Sequence, residues 1–350
     1  GFITSSVPFA ERRFITMKEQ TTQDIRSNRK SRLQMTMSSY ASELSIFCAL
    51  VLICLVISCL SPYFFKFKNF MNILSYVSIA GVMSAGLTVV MIMGCMDLSQ
   101  YSVMAMTGMF LAKMLQAGVN PWLSMLGAIC IGALVGCINA FTVTKMHIVP
   151  MIATIGMQLI ARAITYLSTG GNYLMVTDEG FFSIGYKSFL GLPYLVWILL
   201  IVNIALGYVL HNTSFGRKVY AVGGNPQACA LSGINVNRMK LAGYMISGVS
   251  CAIAAIICTA QGSAAYPTAG SGQEMDCVAA VYLGGLSVGG GKGTIIGTFI
   301  GVLIIAVLLN GMTLLSINAY FQTLFKGLVL LLAVYIDQAR QMRKPKKAKA

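Results

Sequence analysis

Long apolar runs, broken by short polar or glycine- and proline-containing punctuation, recur along almost the whole chain. Read as helices, they give ten candidate spans at about 44–62, 72–94, 101–116, 122–144, 149–167, 193–210, 241–261, 276–290, 294–311 and 320–336. A helix needs about 20 mainly apolar residues to cross the hydrocarbon core of a bilayer. Most of the runs reach that length or come close; the third and eighth are short. The pattern predicts an all-α, polytopic transmembrane bundle of about ten spans. It divides the chain into a basic segment over 1–43, a membrane domain over 44–336 with a polar loop at 211–240, and a basic tail over 337–350.

Composition agrees. The 350 residues are 57% hydrophobic and 10% charged, with a mean hydropathy of +0.76, whereas a soluble domain carries roughly 25% charged residues. The net charge of +15 does not point to nucleic acid, because the cations cluster beside spans. Arg12, Arg13, Lys18, Arg26, Arg29, Lys30 and Arg32 precede the first span, Arg217, Lys218, Arg238 and Lys240 lie in the 211–240 loop, and the tail reads RQMRKPKKAKA. Such clusters hold loops on the cytoplasmic side. With six spans before the loop and four after it, both termini and the loop fall on that side, with membrane lipid around the spans.

The ten cysteines lie mostly within apolar runs and form no C-x-x-C pair, so they are read as small hydrophobes. More than forty largely polar residues precede the first span, too many for the leading part of a cleaved signal peptide. Met17 opens a plausible start, and residues 1–16 are expected to be an extension without structural meaning. Gly132 and Gly136, and likewise Gly293, Gly297 and Gly301, are spaced by four, which lets helix backbones approach closely in lipid.

Chemistry is sparse. The stretch GGLSVGGGKGT at 284–294 suggests a phosphate loop, but Leu286 stands where its first glycine belongs and Gly293 where its hydroxyl residue belongs. The histidines, His147 and His211, form no metal motif. A membrane enzyme is therefore disfavoured, and no metal or cofactor is expected in this chain. Ionisable groups in or beside spans are few and default to functional hypotheses: Asp97, Arg162, Glu274 and Asp276 are candidates for the translocation path or for span edges. Asp97 and Asp276 begin predicted helices, where a carboxylate caps free N–H groups and suits the helix dipole; capping is the favoured reading. A proton- or ion-coupled secondary transporter, the main alternative from another class, would be expected to carry acids in mid-span.

The 211–240 loop contains NPQACALSGIN. Asn225 reads as an N-cap, Pro226 as the first helical residue and Gly233 as the left-handed terminator, framing a helix of about seven residues. The segment Gly224, Asn225, Pro226, Gln227, Ala228, Cys229, then Leu231, Ser232 and Gly233, resembles the coupling-loop pattern E-A-A-x-x-x-G of bacterial ABC importers. Within that class, FGRKVYAVGGNPQACALSGINVNRMK, GCMDLSQYSV, LIARAITYLSTGG, AAYPTAGSGQEMDCVAAVYLGGLSVGGGKGT and FKGLVLLLAVYID are similar to the permeases for ribose and related monosaccharides, in register over roughly 70–338.

The resemblance implies a permease subunit in a bacterial cytoplasmic membrane. It implies a cytoplasmic ABC ATPase subunit that binds ATP and Mg, an external sugar-binding protein, and a second permease chain, identical or not. The helix at 225–233 would seat on the ATPase, and the outer loop 168–192, with Asp178 and Glu179, would help receive the binding protein. Gln227 replaces the usual acid, Cys229 the second alanine, Cys95 and Met96 the usual Gly and Ile, and Gln100 and Tyr101 the usual small residues. The departures at 95–101 bear on which substrate passes.

Overall fold

The computed structural model describes residues 43–342; of the basic segments predicted at 1–43 and 337–350, residues 1–42 and 343–350 lie outside it. The helices are α1 (Glu43–Leu60), α2 (Phe67–Ile92), α3 (Gln100–Gln116), α4 (Pro121–Thr144), α5 (Pro150–Thr169), α6 (Glu179–Tyr186) and α7 (Tyr194–Asn212). They continue as α8 (Ser214–Gly224), α9 (Pro226–Leu231), α10 (Val236–Gly262), α11 (Asp276–Leu283), α12 (Ile295–Leu314) and α13 (Ala319–Met342). Two antiparallel pairs of two-residue strands occur, β1 (Leu174–Met175) with β4 (Ala264–Ala265), and β2 (Ser188–Phe189) with β3 (Leu192–Pro193).

Local chemistry sets many of the boundaries. Asn120 caps α4 by accepting the Trp122 N–H, with Pro121 at the first helical position. Asn235 does the same for α10 through Arg238, and Thr294 for α12 through Gly297. Gly170, in the left-handed conformation at φ 61°, ends α5. A side chain that supplies a hydrogen bond to an otherwise orphaned helix-end amide stabilises the helix by about 1 kcal/mol.

Seven helices among the described residues are long and apolar enough to cross a membrane: α1, α2, α4, α5, α7, α10 and α12. The expectation of about ten is met only in this coarser form. The run at 101–116 forms α3, a helix of 17 residues enclosed on nearly every side. The run at 276–290 does not continue as helix. It yields α11, eight residues or about 12 Å at the α-helical rise, and then turns through Gly285, Gly290 and Gly291, all at positive φ. The run at 320–336 is part of α13.

The bundle is organised around α2 and α10. In the most apolar 18-residue window of each helix, 78% of α2 is buried, against 11% of α1; α1 therefore presents its apolar faces outward, as a lipid-facing helix does. Small residues set the closest contacts. A β-carbon at Gly132 of α4 would collide with the Gly248 carbonyl of α10, one at Gly248 with the Gly132 carbonyl, and one at Gly136 with the Tyr244 carbonyl. α11 and α12 meet in the same way, Gly297 against Gly284 and Gly301 against the Ala280 carbonyl. The sequence spacing identifies Gly132, Gly136, Gly297 and Gly301; their partners Gly248 and Gly284 emerge only from the packing.

Candidate functional site

The segment 225–233 folds as its residues predict. Asn225 is the N-cap of α9, its Oδ1 accepting the Ala228 N–H at 3.0 Å, and Pro226 opens the helix. Gly233 takes φ 81°, and the Ile234 N–H closes back on the Cys229 carbonyl at 2.9 Å. Within α9 only Cys229 is buried, joining the main hydrophobic core. Gln227, Ala228, Ala230 and Leu231 face outward, as do Gly224, Ser232 and Gly233 beside the helix, and Leu231 is 92% exposed. An open groove lined by Ala230, Gly233, Ile234, Asn235, Val236 and Asn237 runs beside the helix.

α8, directly before α9, is amphipathic. It is capped by Thr213, which accepts from Gly216 N–H, and it buries Gly216, Val219 and Val222 while Arg217 and Lys218 stay exposed. α9 thus projects from the N-terminal end of α10. The opposite end of α10 carries β4 and packs on α6, with Gly185 against the Ala260 carbonyl. Twenty-seven residues of α10 separate these ends by about 40 Å. The 168–192 segment therefore lies at the other end of α10 from the α9 surface. In that segment Asp178 caps α6 by accepting the Phe181 N–H at 2.8 Å, and Glu179 occupies the first turn.

The acids expected to cap helices do other work. Asp97 lies in the turn between α2 and α3, and the α3 N-cap position is Ser99, which makes no side-chain cap. The Asp97 carboxylate accepts from the Ser99 hydroxyl and N–H on Oδ1, at 2.6 and 3.1 Å, and from the Ser247 hydroxyl of α10 on Oδ2, at 2.7 Å. Asn139 of α4 donates to the Ser99 hydroxyl, Tyr244 to the Met96 carbonyl, and the Leu98 N–H to Thr154 of α5. The buried carboxylate thus sits in a network that ties the α2–α3 turn to three helices. Burial favours this use over simple capping, because a carboxylate away from water needs several donors.

Asp276 stands at the first position of α11, behind Met275 as N-cap, and also makes no cap bond. Its Oδ2 accepts from Lys326 Nζ of α13 at 2.8 Å and from the Tyr76 hydroxyl of α2 at 3.0 Å. Arg162, half-buried on α5, donates through Nη1 to the carbonyls of Pro267 and Ala269 at 2.7 and 3.0 Å. Its Nη2 is buried without a hydrogen-bond partner among the described residues. Arg162 therefore fastens the 266–275 segment, which holds half-buried Glu274 and leads into Asp276. Gly270 of that segment, at φ 68°, lies against the Tyr101 ring. Lys326 was legible as a lone cation within an apolar run; Tyr76, Ser99, Asn139 and Ser247 carry no comparable signal.

The structure brings together a helix-enclosed core, an exposed capped helix at one end and polar ties at the inner turns. A family model described as "Branched-chain amino acid transport system / permease component" matches residues 69–334. The chain belongs to that permease family. This permease is 42% identical over 299 residues to the ribose import permease protein RbsC of Escherichia coli K12, covering 84% of this chain and 92% of the relative. Its identity to RbsC of Bacillus subtilis is 37% over 300 residues, covering 85% and 93%. The L-arabinose transport system permease protein AraH of E. coli K12 is 33% identical over 301 residues, covering 86% and 91%. These matches bear out the resemblance read from the motifs, and the apolar helices make the permease a multi-pass membrane protein.

Proposed function

We infer that the chain is the permease subunit of an ABC importer that moves a monosaccharide, ribose-like or a related small sugar, across a bacterial cytoplasmic membrane. The similarity to both RbsC and AraH supports a sugar as substrate. In this reading the chain is a transport subunit, and ATP with Mg is held and hydrolysed on a cytoplasmic ATPase partner. α9 supplies the docking element: a capped helix anchored by one buried cysteine, with Leu231 almost wholly exposed.

An external sugar-binding protein delivers substrate at the opposite end of α10, and a second permease chain completes the pathway. The topology that fits has both termini on the cytoplasmic side with the basic α8–α10 region, by the positive-inside rule. In that topology α3, α11 with its glycine loop, and α13 complete about ten membrane-embedded segments. Substrate affinity resides mainly in the binding protein, so this chain needs no deep polar pocket.

Affinity purification of the permease from its native membrane, followed by mass spectrometry, tests the reading. A P-loop ATPase is expected to copurify. Gly233→Val is expected to weaken that association about tenfold, because placing a non-glycine residue in the left-handed region costs about 1–2 kcal/mol and more for a β-branched one. No atom lies within 4 Å of a β-carbon added there, so the effect is confined to the turn. A folded permease that brings down no ATPase in gentle detergent, yet accumulates sugar on an ion gradient, would replace this reading with the secondary-transporter one.

A further inference from the structure

The glycine loop rejected as a nucleotide site has another use. α2, α8 and the 287–293 loop meet backbone against backbone. The Gly291 N–H donates to the Ile92 carbonyl at 2.7 Å, occupying one of the carbonyls that the end of α2 leaves without a helical partner. A β-carbon at Gly223 of α8 would fall on that same carbonyl and within 2.5 Å of the Gly291 nitrogen. One at Gly290 would lie 2.8 Å from the Gly94 nitrogen, and one at Gly291 would lie 3.1 Å from the Gly224 Cα. The Tyr220 hydroxyl of α8 donates to the Gly293 carbonyl at 2.7 Å.

Gly94, Gly290 and Gly291 all take positive φ, so the turn geometry favours glycine at each, and at Gly290 and Gly291 the close approach of backbone does so as well. Only Asn225 separates α8 from α9, and α8 is seated by fully buried Val219 and Val222. The other two arms of the contact run inward. The end of α2 leads to the turn holding Asp97, and the 287–293 loop connects α11, which carries the Asp276–Lys326 pair, to α12.

We propose that Tyr220, Gly223 and the Gly290–Gly291 turn are positioning residues for energy coupling. They form a backbone joint that makes α9 move together with the end of α2 and the α11–α12 loop. Tightly packed backbone cannot absorb a displacement by side-chain adjustment, so it passes motion on. A flexible connection at the same place would let α9 follow the ATPase while the inner turns stayed still. The proposal rests on the reading that α9 docks an ATPase.

The test uses the permease with its ATPase and binding protein in proteoliposomes, scoring uptake of radiolabelled ribose and L-arabinose against ATP hydrolysed in the same vesicles. Gly223→Ala and Tyr220→Phe are compared with the parent. Both variants are expected to keep the parental amount of bound ATPase and the parental KM for ATP. Sugar moved per ATP should fall roughly 2- to 30-fold, the range for changes along a coupling route, with Gly223→Ala the more severe. Tyr220→Phe, which removes one hydroxyl, decides the matter alone if Gly223→Ala does not fold. An unchanged sugar-to-ATP ratio in a coupled complex, or a loss that simply tracks lost ATPase, overturns the joint and leaves the functional reading standing. A parent permease that recruits no ATPase overturns both.

Discussion

Lys326→Ala should destabilise the permease by about 3–5 kcal/mol, the usual cost of stranding one partner of a buried ion pair, and should abolish transport. Lys326 is the one charged residue of α13 between Ala319 and Ile336, and its ammonium meets a carboxylate whose side chain is only 4% exposed. Both known donors to Asp276, Lys326 Nζ and the Tyr76 hydroxyl, converge on Oδ2. Without the lysine, the carboxylate keeps one neutral donor in surroundings that hydrate it poorly. The pair also joins α11 to α13, while Tyr76 adds α2, so its loss removes the polar ties of a short helix that otherwise rests on its apolar packing against α12 and α2. Thermal unfolding in detergent measures the first effect and vesicle uptake the second.

The double variant Asp276→Asn/Lys326→Met should recover most of the stability, since it removes both charges together. A single variant as stable as the parent would show that the pair contributes nothing to the fold, and a double variant no better than the single would show that the loss does not come from the stranded carboxylate. Lys326→Arg keeps the charge on a planar, wider head. It should retain more stability than Lys326→Ala.

Gly248→Ala should destabilise the permease by about 3 kcal/mol, near the upper end for overpacking a filled interior. Its added carbon would collide with the Gly132 carbonyl oxygen, with the Gly136 nitrogen 3.2 Å away. These are backbone atoms, so no rotamer change relieves the contact; α4 and α10 must move apart. That separation would also disturb the Asp97 network, because Ser247 and Asn139 reach it from these same two helices.

The matched control is Gly156→Ala on α5, where nothing lies within 4 Å of the added carbon. There the better helix propensity of alanine favours the folded state by up to about 1 kcal/mol, so stability should hold or rise. Melting temperatures of the two variants in one detergent distinguish contact from composition. Equal losses at both positions would mean that glycine content, not the α4–α10 approach, controls stability.

Hydropathy along the chain suffices to show a helical membrane protein, because a backbone in lipid must satisfy its own hydrogen bonds and a helix does so within one segment. The helix at 225–233 is likewise legible. Asn225, Pro226 and Gly233 act on backbone groups within a few residues of themselves, so their effect is local chemistry. The Gly132 and Gly136 spacing marks a face made for close approach.

What neighbours a residue at long range was not legible. Asp97 and Asp276 stand where caps belong, yet their carboxylates are engaged by Ser247, 150 positions away, and Lys326, 50 positions away. The apolar run at 276–290 has the composition of a span, but Gly285, Gly290 and Gly291 turn it back on α2 and α8. Hydropathy and capping are short-range and sum along the chain. Which carboxylate meets which cation, and which glycine receives which carbonyl, depends on how complete helices pack, and that was settled only in the tertiary structure.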